Sequence, residues 1–179
     1  MKITTPITEE VIKDLVLGDF ITISGYIYAG RDAVLPKIVS LIKEGKLEDF
    51  NIDLKGAVIF HTAVSQAGIG PTSSNKLDIE SSIPELAKAG VKIHIGKGVL
   101  SKATIEALQR FNSVYAVVPP VTALLSSKVT KKCVVAFPEE GMEAFHLLEV
   151  EEFPAVVAAI HGRTLHDTDE VRKVQGETL

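Results

Sequence analysis

Apolar positions recur along this chain with two alternating periods. Near the N-terminus, Val11, Ile12, Leu15 and Val16 follow Thr8-Glu9-Glu10 at helical spacing, with acidic residues where a helix dipole favours them. Phe20 to Ile27 then alternates β-formers with small polar residues and predicts a strand. Over 33–44 the apolar residues Val34, Leu35, Ile38, Leu41 and Ile42 return to one helical face, with Asp32 as the expected cap and Gly45 as the stop. Pro36 fits this helix only within its first turn, where backbone N–H groups lack intrahelical partners. Arg31 is thereby placed at a strand-to-helix junction. Gly56 to Thr62 is a near-continuous apolar run, the pattern of a strand covered on both faces.

The second half continues the alternation and then changes. Ser82-Ile83-Pro84-Glu85 matches a capping box and predicts a short helix closed by Gly90. Val91 to Ile95 reads as a strand ending in Gly96-Lys97-Gly98, and Ile105, Leu108 and Phe111 mark a helix that starts at Ser101. The strand Val114 to Val118 is broken by Pro119-Pro120, and Val121 to Ser126 suits a helical turn. Val134–Phe137, Ala144–Val150 and Val156–Ile160 read as strands, the last two divided by Glu151-Glu152 and Phe153-Pro154. Strand–helix–strand order in the middle favours parallel pairing, whereas the C-terminal part is β-rich. An α/β domain with a mixed sheet is expected over 1–162, followed by a loose polar tail over 163–179.

Composition narrows the function classes. The chain has 179 residues, 46% hydrophobic and 23% charged, which suits one ordinary globular domain. No apolar run is long enough to span a bilayer and Met1 to Glu10 has no signal-peptide core, so a cytoplasmic protein is expected. A formal charge of -4 argues against an extended nucleic-acid surface, and the absence of Trp with 6% aromatics argues against base-stacking platforms. The single cysteine, Cys133, lies in an apolar run and is expected to be buried. Alone it can neither form an internal disulfide nor hold an iron-sulfur cluster or structural zinc.

The stretch richest in candidate chemistry is Gly68-Ile69-Gly70-Pro71-Thr72-Ser73-Ser74-Asn75-Lys76-Leu77-Asp78. Two glycines and a proline suit a turn that lets backbone approach a ligand, and three hydroxyls, an amide and a lysine follow within five positions. Such a loop suits a carboxylate or phosphate, although the composition is shared with ordinary polar loops. Gly96-Lys97-Gly98 is not a nucleotide-triphosphate loop, because its spacing from Gly90 is wrong and no Ser or Thr follows Lys97. His61, His94, His146, His161 and His166 show no metal-ligand spacing, so no metal site is expected. No Ser, His and Asp set can be assigned from spacing.

Four stretches in order, Gly25 to Ala33 (with Gly30-Arg31-Asp32), Gly70 to Asp78, Ile95 to Gly98 and Gly141-Met142-Glu143-Ala144-Phe145, resemble the C-terminal domain of class I fumarases. That domain also occurs as a separate β subunit and is shared with L(+)-tartrate dehydratase. The resemblance covers roughly residues 15 to 162. It implies a swivelling β/β/α fold and a hydro-lyase that interconverts fumarate and malate, with a 4Fe-4S cluster held by three cysteines of a partner α subunit. By position it makes Arg31 and Lys97 contacts of the substrate carboxylates and Thr72 the base, its alkoxide favoured by Lys97 and neighbouring cations. Ser73 and Lys76 join the substrate-binding set, but both depart from the family pattern, which has threonine and arginine there. Lysine keeps the charge at 76 and loses the planar fork. Gly30, where alanine is frequent, is expected to loosen the turn before Arg31. The partners implied are the α subunit and a small dicarboxylate, with self-association of isolated chains. Two alternatives stay open: L(+)-tartrate dehydratase β subunit, and a non-catalytic small-anion-binding module.

Overall fold

A computed structural model describes residues 1–70 and 80–167 in full and 76–79 as helical backbone. Five parallel strands form most of the sheet: β1 (Lys2–Thr4), β2 (Phe20–Ala29), β3 (Val58–Phe60), β4 (Ile93–Gly96) and β5 (Val114–Val117). Antiparallel strands β6 (Val129–Ala136), β7 (Phe145–Ile160) and β8 (Arg163–Thr164) complete it. The mixed sheet expected from the sequence is therefore present.

One strand decides the shape. β7 runs for 16 residues, pairs along one edge with the whole of β2, and along the other first with β6 and then with β5. Strands β2, β3, β4, β5 and β7 thus close into a ring. Alternate residues point into it, including Ile21, Ile23, Ile27, Phe60, Ile95, Ala116, Leu148 and Phe153. Phe60 and Phe153 meet edge-on there, with ring centroids 5.5 Å apart.

The outer face is covered by helices. α2 (Leu35–Glu44) and α3 (Lys76–Lys88) bury Leu35, Ile38 and Leu86 with Tyr28, Ile59 and Phe145. α3 also shares Ile83 and Ala87 with Leu108 of α4 (Lys102–Arg110) and with Tyr115. The expected N-terminal helix α1 (Glu9–Asp14) is capped by Thr8 and buries Ile12, and α5 (Thr122–Ser127) follows β5.

Several local expectations are corrected. The strand was expected to break at Glu151 to Pro154, but β7 passes through as a bulge, with Glu152 at φ 51° and its N–H bonded to Ser24 Oγ. Pro154 falls between the stretches of β7 paired with β6 and with β5, where its missing N–H breaks no ladder there. Helix α3 starts at Lys76, so the capping box at Ser82 is not a helix start and Pro84 lies inside the helix. Val34, without a side-chain bond, stands at the N-cap of α2 where Asp32 was expected, while Pro36 and Gly45 play their expected parts. Cys133 is exposed, because β6 is paired on one edge only and turns this stretch outward. Arg163 and Thr164 pair with β7, and residues 168–179 of the expected tail lie outside the described residues.

Candidate active site

Because β2, β3, β4 and β5 run parallel, their carboxyl ends share one edge, the usual place for a ligand in an open α/β sheet. The register sharpens this. Ala29, Phe60, Ile95 and Ala116 form one row across the four strands. Two residues further along each chain stand Arg31, Thr62, Lys97 and Val118. Arg31 and Lys97 thus each lie two residues past this row, on the segments leaving the strands to either side of β3, and two strand spacings within the row itself amount to roughly 9–10 Å. The segment 61–70, which follows β3, leaves the sheet between them.

Arg31 is held from below. Its Nε donates to the Glu143 carboxylate, and Asp32 Oδ1 lies 3.3 Å away, close enough to pair by charge although not aligned as a hydrogen bond. The Arg31 side chain is 20% exposed, so these acids fix the direction of the guanidinium fork in a partly desolvated place. Glu143 ends a 3-10 segment, Pro138–Glu143, which Lys37 of α2 also grips through Glu140. Its Met142 O accepts from Val64 N at 2.8 Å, joining the Arg31 anchor to the segment that follows β3. Gly30 has a packing reason: a Cβ there would lie 2.8 Å from Val34 Cγ2 and 2.9 Å from Phe145 Cδ2. The glycine tightens this turn rather than loosening it.

The described part of the loop is built from local hydroxyls. Thr62 Oγ1 donates to Gly70 O at 2.6 Å, Ser65 Oγ donates to Gly68 O at 2.7 Å, and Ser126 Oγ accepts from Ile69 N at 2.9 Å. Gly68 and Gly70 make close approaches, but to protein. A Cβ on either would lie 2.7 or 2.6 Å from Thr122 of α5. Ligand approach was the expected reason for these glycines; helix contact is the one observed. Thr72 and Ser73 lie outside the described residues, and Lys76 is placed only as the first residue of α3.

Lys97 is exposed, one residue past β4. Its carbonyl accepts a 2.8 Å hydrogen bond from Tyr115 Oη, and Gly96 leaves room for that ring. Behind this edge, His61 and His94 are buried on the helix-covered face. Sequence reasoning assigned no role to Tyr115, Glu143 or this histidine pair; only Glu143, inside the Gly141 to Phe145 motif, carried a signal that could have found it. A groove of about 670 Å³ lined by Val64, Ser65, Lys132, Met142 and His146 reaches Glu143's neighbour but includes neither Arg31 nor Lys97.

Chemically, the edge offers a held arginine and an exposed lysine beside the hydroxyls of Thr62 and Ser65, an arrangement suited to a small molecule with two carboxylates. A cluster does not fit this chain: the sequence has one cysteine, and among the described residues no three His, Cys, Asp or Glu side chains converge. Among those residues no helix is long and apolar enough to cross a membrane.

Comparison with known proteins bears on the family. A family model described as fumarase C-terminus matches residues 1–169. A protein of Methanocaldococcus jannaschii, provisionally named L(+)-tartrate dehydratase subunit beta, is 30% identical over 97% of this chain and 93% of its own length. L(+)-tartrate dehydratase subunit beta of Escherichia coli is 28% identical over 91% of this chain and 85% of its own. A protein of Geobacillus stearothermophilus, provisionally named class I fumarate hydratase, is 30% identical over 92% of this chain but only 33% of its own length.

Proposed function

The chain belongs to the fumarase C-terminus family, and from that premise we propose that it is the β subunit of a two-subunit, iron-sulfur-dependent hydro-lyase acting on a small dicarboxylate. The observation that carries this reading is the placement of Arg31 and Lys97, each two residues past one row of the sheet, on either side of the segment that leads to Thr72. Two cations so held bind the two ends of a dianion and leave its central carbons against the loop. In the proposed reaction water is added across the double bond of fumarate to give malate, or removed in reverse. Thr72 exchanges the proton at carbon, and Arg31 and Lys97, with Ser73 and Lys76, orient the carboxylates.

A threonine hydroxyl is a weak base, and neighbouring cations lower the cost of its alkoxide. The cluster belongs to the α subunit, since one cysteine cannot supply three thiolate ligands. A second reading, L(+)-tartrate as substrate, is favoured by the names of the relatives that match this chain over most of their own length.

The test is anaerobic co-expression with a cysteine-bearing α subunit and cluster reconstitution, followed by hydration of fumarate assayed beside dehydration of L-tartrate. Activity only in the mixture supports the split enzyme, and the faster substrate names it. A stable complex inert to both substrates, or failure to form a complex, would favour the non-catalytic anion-binding module.

A further inference from the structure

Lys97 stands on a loop that is pinned at both ends by residues from other elements. At one end Tyr115, 4% exposed, donates its phenol proton to Lys97 O at 2.8 Å. The ring lies over the end of β4, and a Cβ at Gly96 would meet its Oη at 2.7 Å. The first glycine of Gly96-Lys97-Gly98 therefore makes room for a tyrosine rather than for a phosphate. At the other end Glu80 of α3, 8% exposed, accepts from Ser101 N at 3.0 Å and from Thr104 Oγ1 at 2.9 Å, capping α4 in the same motion. Glu80 lies one turn into α3, so this helix grips the loop that carries Lys97.

From this geometry we infer that Tyr115 and Glu80 are positioning residues that hold the backbone of Lys97 at the carboxyl end of β4, and so fix the separation from Arg31 at which the site reads two carboxylates. This rests on the dicarboxylate reading of Lys97. Neither residue touches substrate. Tyr115 anchors the Lys97 backbone, so that the flexible side chain starts from one place; Glu80 ties that anchor to α3. The phenol keeps its proton under all assay conditions, because burial, and secondarily the Glu80 charge, push its ionisation upward.

The experiment has two arms, both on the full chain. Hydrogen exchange followed by mass spectrometry on the peptide covering 97–104 should show at least about tenfold faster exchange in Tyr115→Phe and in Glu80→Ala, with Glu80→Gln intermediate because its carbonyl still accepts. Unchanged exchange in Tyr115→Phe, a variant that keeps the ring and its packing, overturns the inference whatever the enzyme does. In the reconstituted complex, Tyr115→Phe should lower kcat/KM about tenfold, chiefly through KM, but less than about twofold in a Lys97→Ala background, since it acts through Lys97. Equal losses in both backgrounds overturn the inference and leave the proposed function standing. If Lys97→Ala itself is silent, the assigned role of Lys97 fails and the inference fails with it.

Discussion

His61 Nε2 lies 3.1 Å from His94 Nδ1, and both rings are fully desolvated. One ring N–H donates to the other ring, while the outward nitrogens, His61 Nδ1 and His94 Nε2, have no hydrogen-bond partner among the described residues. Burial pushes His61 down to about 4 from 6.5, and burial with the His61 charge pushes His94 well below its ordinary value. The unfolded chain therefore binds protons from pH 6.5 downward that the folded one refuses. Stability should be level above about pH 7 and fall as pH drops from 6.5 toward 4, by up to about 1.4 kcal/mol per pH unit for each histidine. His146, lowered chiefly by burial, adds in the same direction. The depressed carboxylates Glu9, Glu10 and Glu152 act around and below their ordinary value of 4.5, so among these groups the histidines carry the window from about 5 to 6.5. Urea unfolding at half-unit pH steps checks this; a flat profile across that window would remove the buried neutral pair.

Arg31 depends on Glu143 for its direction. In the reconstituted complex Arg31→Ala should weaken both turnover and substrate affinity, lowering kcat/KM by about 100-fold, and Arg31→Lys should recover little because the planar fork is lost. Glu143→Gln keeps the shape and removes the charge, and is expected to raise KM by about 3- to 10-fold with a smaller change in kcat. Steady-state kinetics on both candidate substrates measures the split. If Glu143→Gln behaves as wild type, the orientation of Arg31 comes from elsewhere.

Thr72, the proposed base, allows chemistry to be tested apart from binding. Thr72→Ala should reduce kcat by at least about 100-fold with KM changed less than about threefold, the signature of an interaction made in the transition state. Turnover that survives loss of the hydroxyl would take Thr72 out of the proton transfer.

Gly30 tests packing apart from catalysis. Alanine there pushes a methyl against Val34 and Phe145, both fully buried, and should cost about 1–3 kcal/mol. Thermal unfolding would register this as a fall of roughly 2–4 °C per kcal/mol for a chain of this size. The double variant with Val34→Ala should regain part of the loss, because the first clash is with Val34 Cγ2.

Most elements were legible in the amino-acid order because helix and strand periods are set by near neighbours. Val34 to Ile42 repeat at helical spacing and fold as α2, and the apolar run at Val58–Phe60 is the buried strand β3. The turn residues gave the same kind of local information, so Arg31 at the end of β2 followed from the strand before it and the proline-bearing helix after it. Local rules misled where distant pairing overrode them. Glu151 to Pro154 read as a turn, yet long-range ladders to β2 carry β7 through as a bulge. Ser82 to Glu85 fit a cap, but helix α3 had already begun at Lys76.

What the sequence determined by itself was the alternation of elements, the helical faces of α2 and α4, and the strand-to-helix junction at which Arg31 stands. Tertiary structure alone decided that β7 closes the ring, that strand order puts Arg31 and Lys97 on either side of β3, and that Glu143, 112 positions away, holds Arg31. The physical reason is range: periodicity reports contacts within a turn or a pleat, whereas ladder register and the partners of buried polar groups are fixed only when segments far apart in sequence compete for the same edge, face and donor.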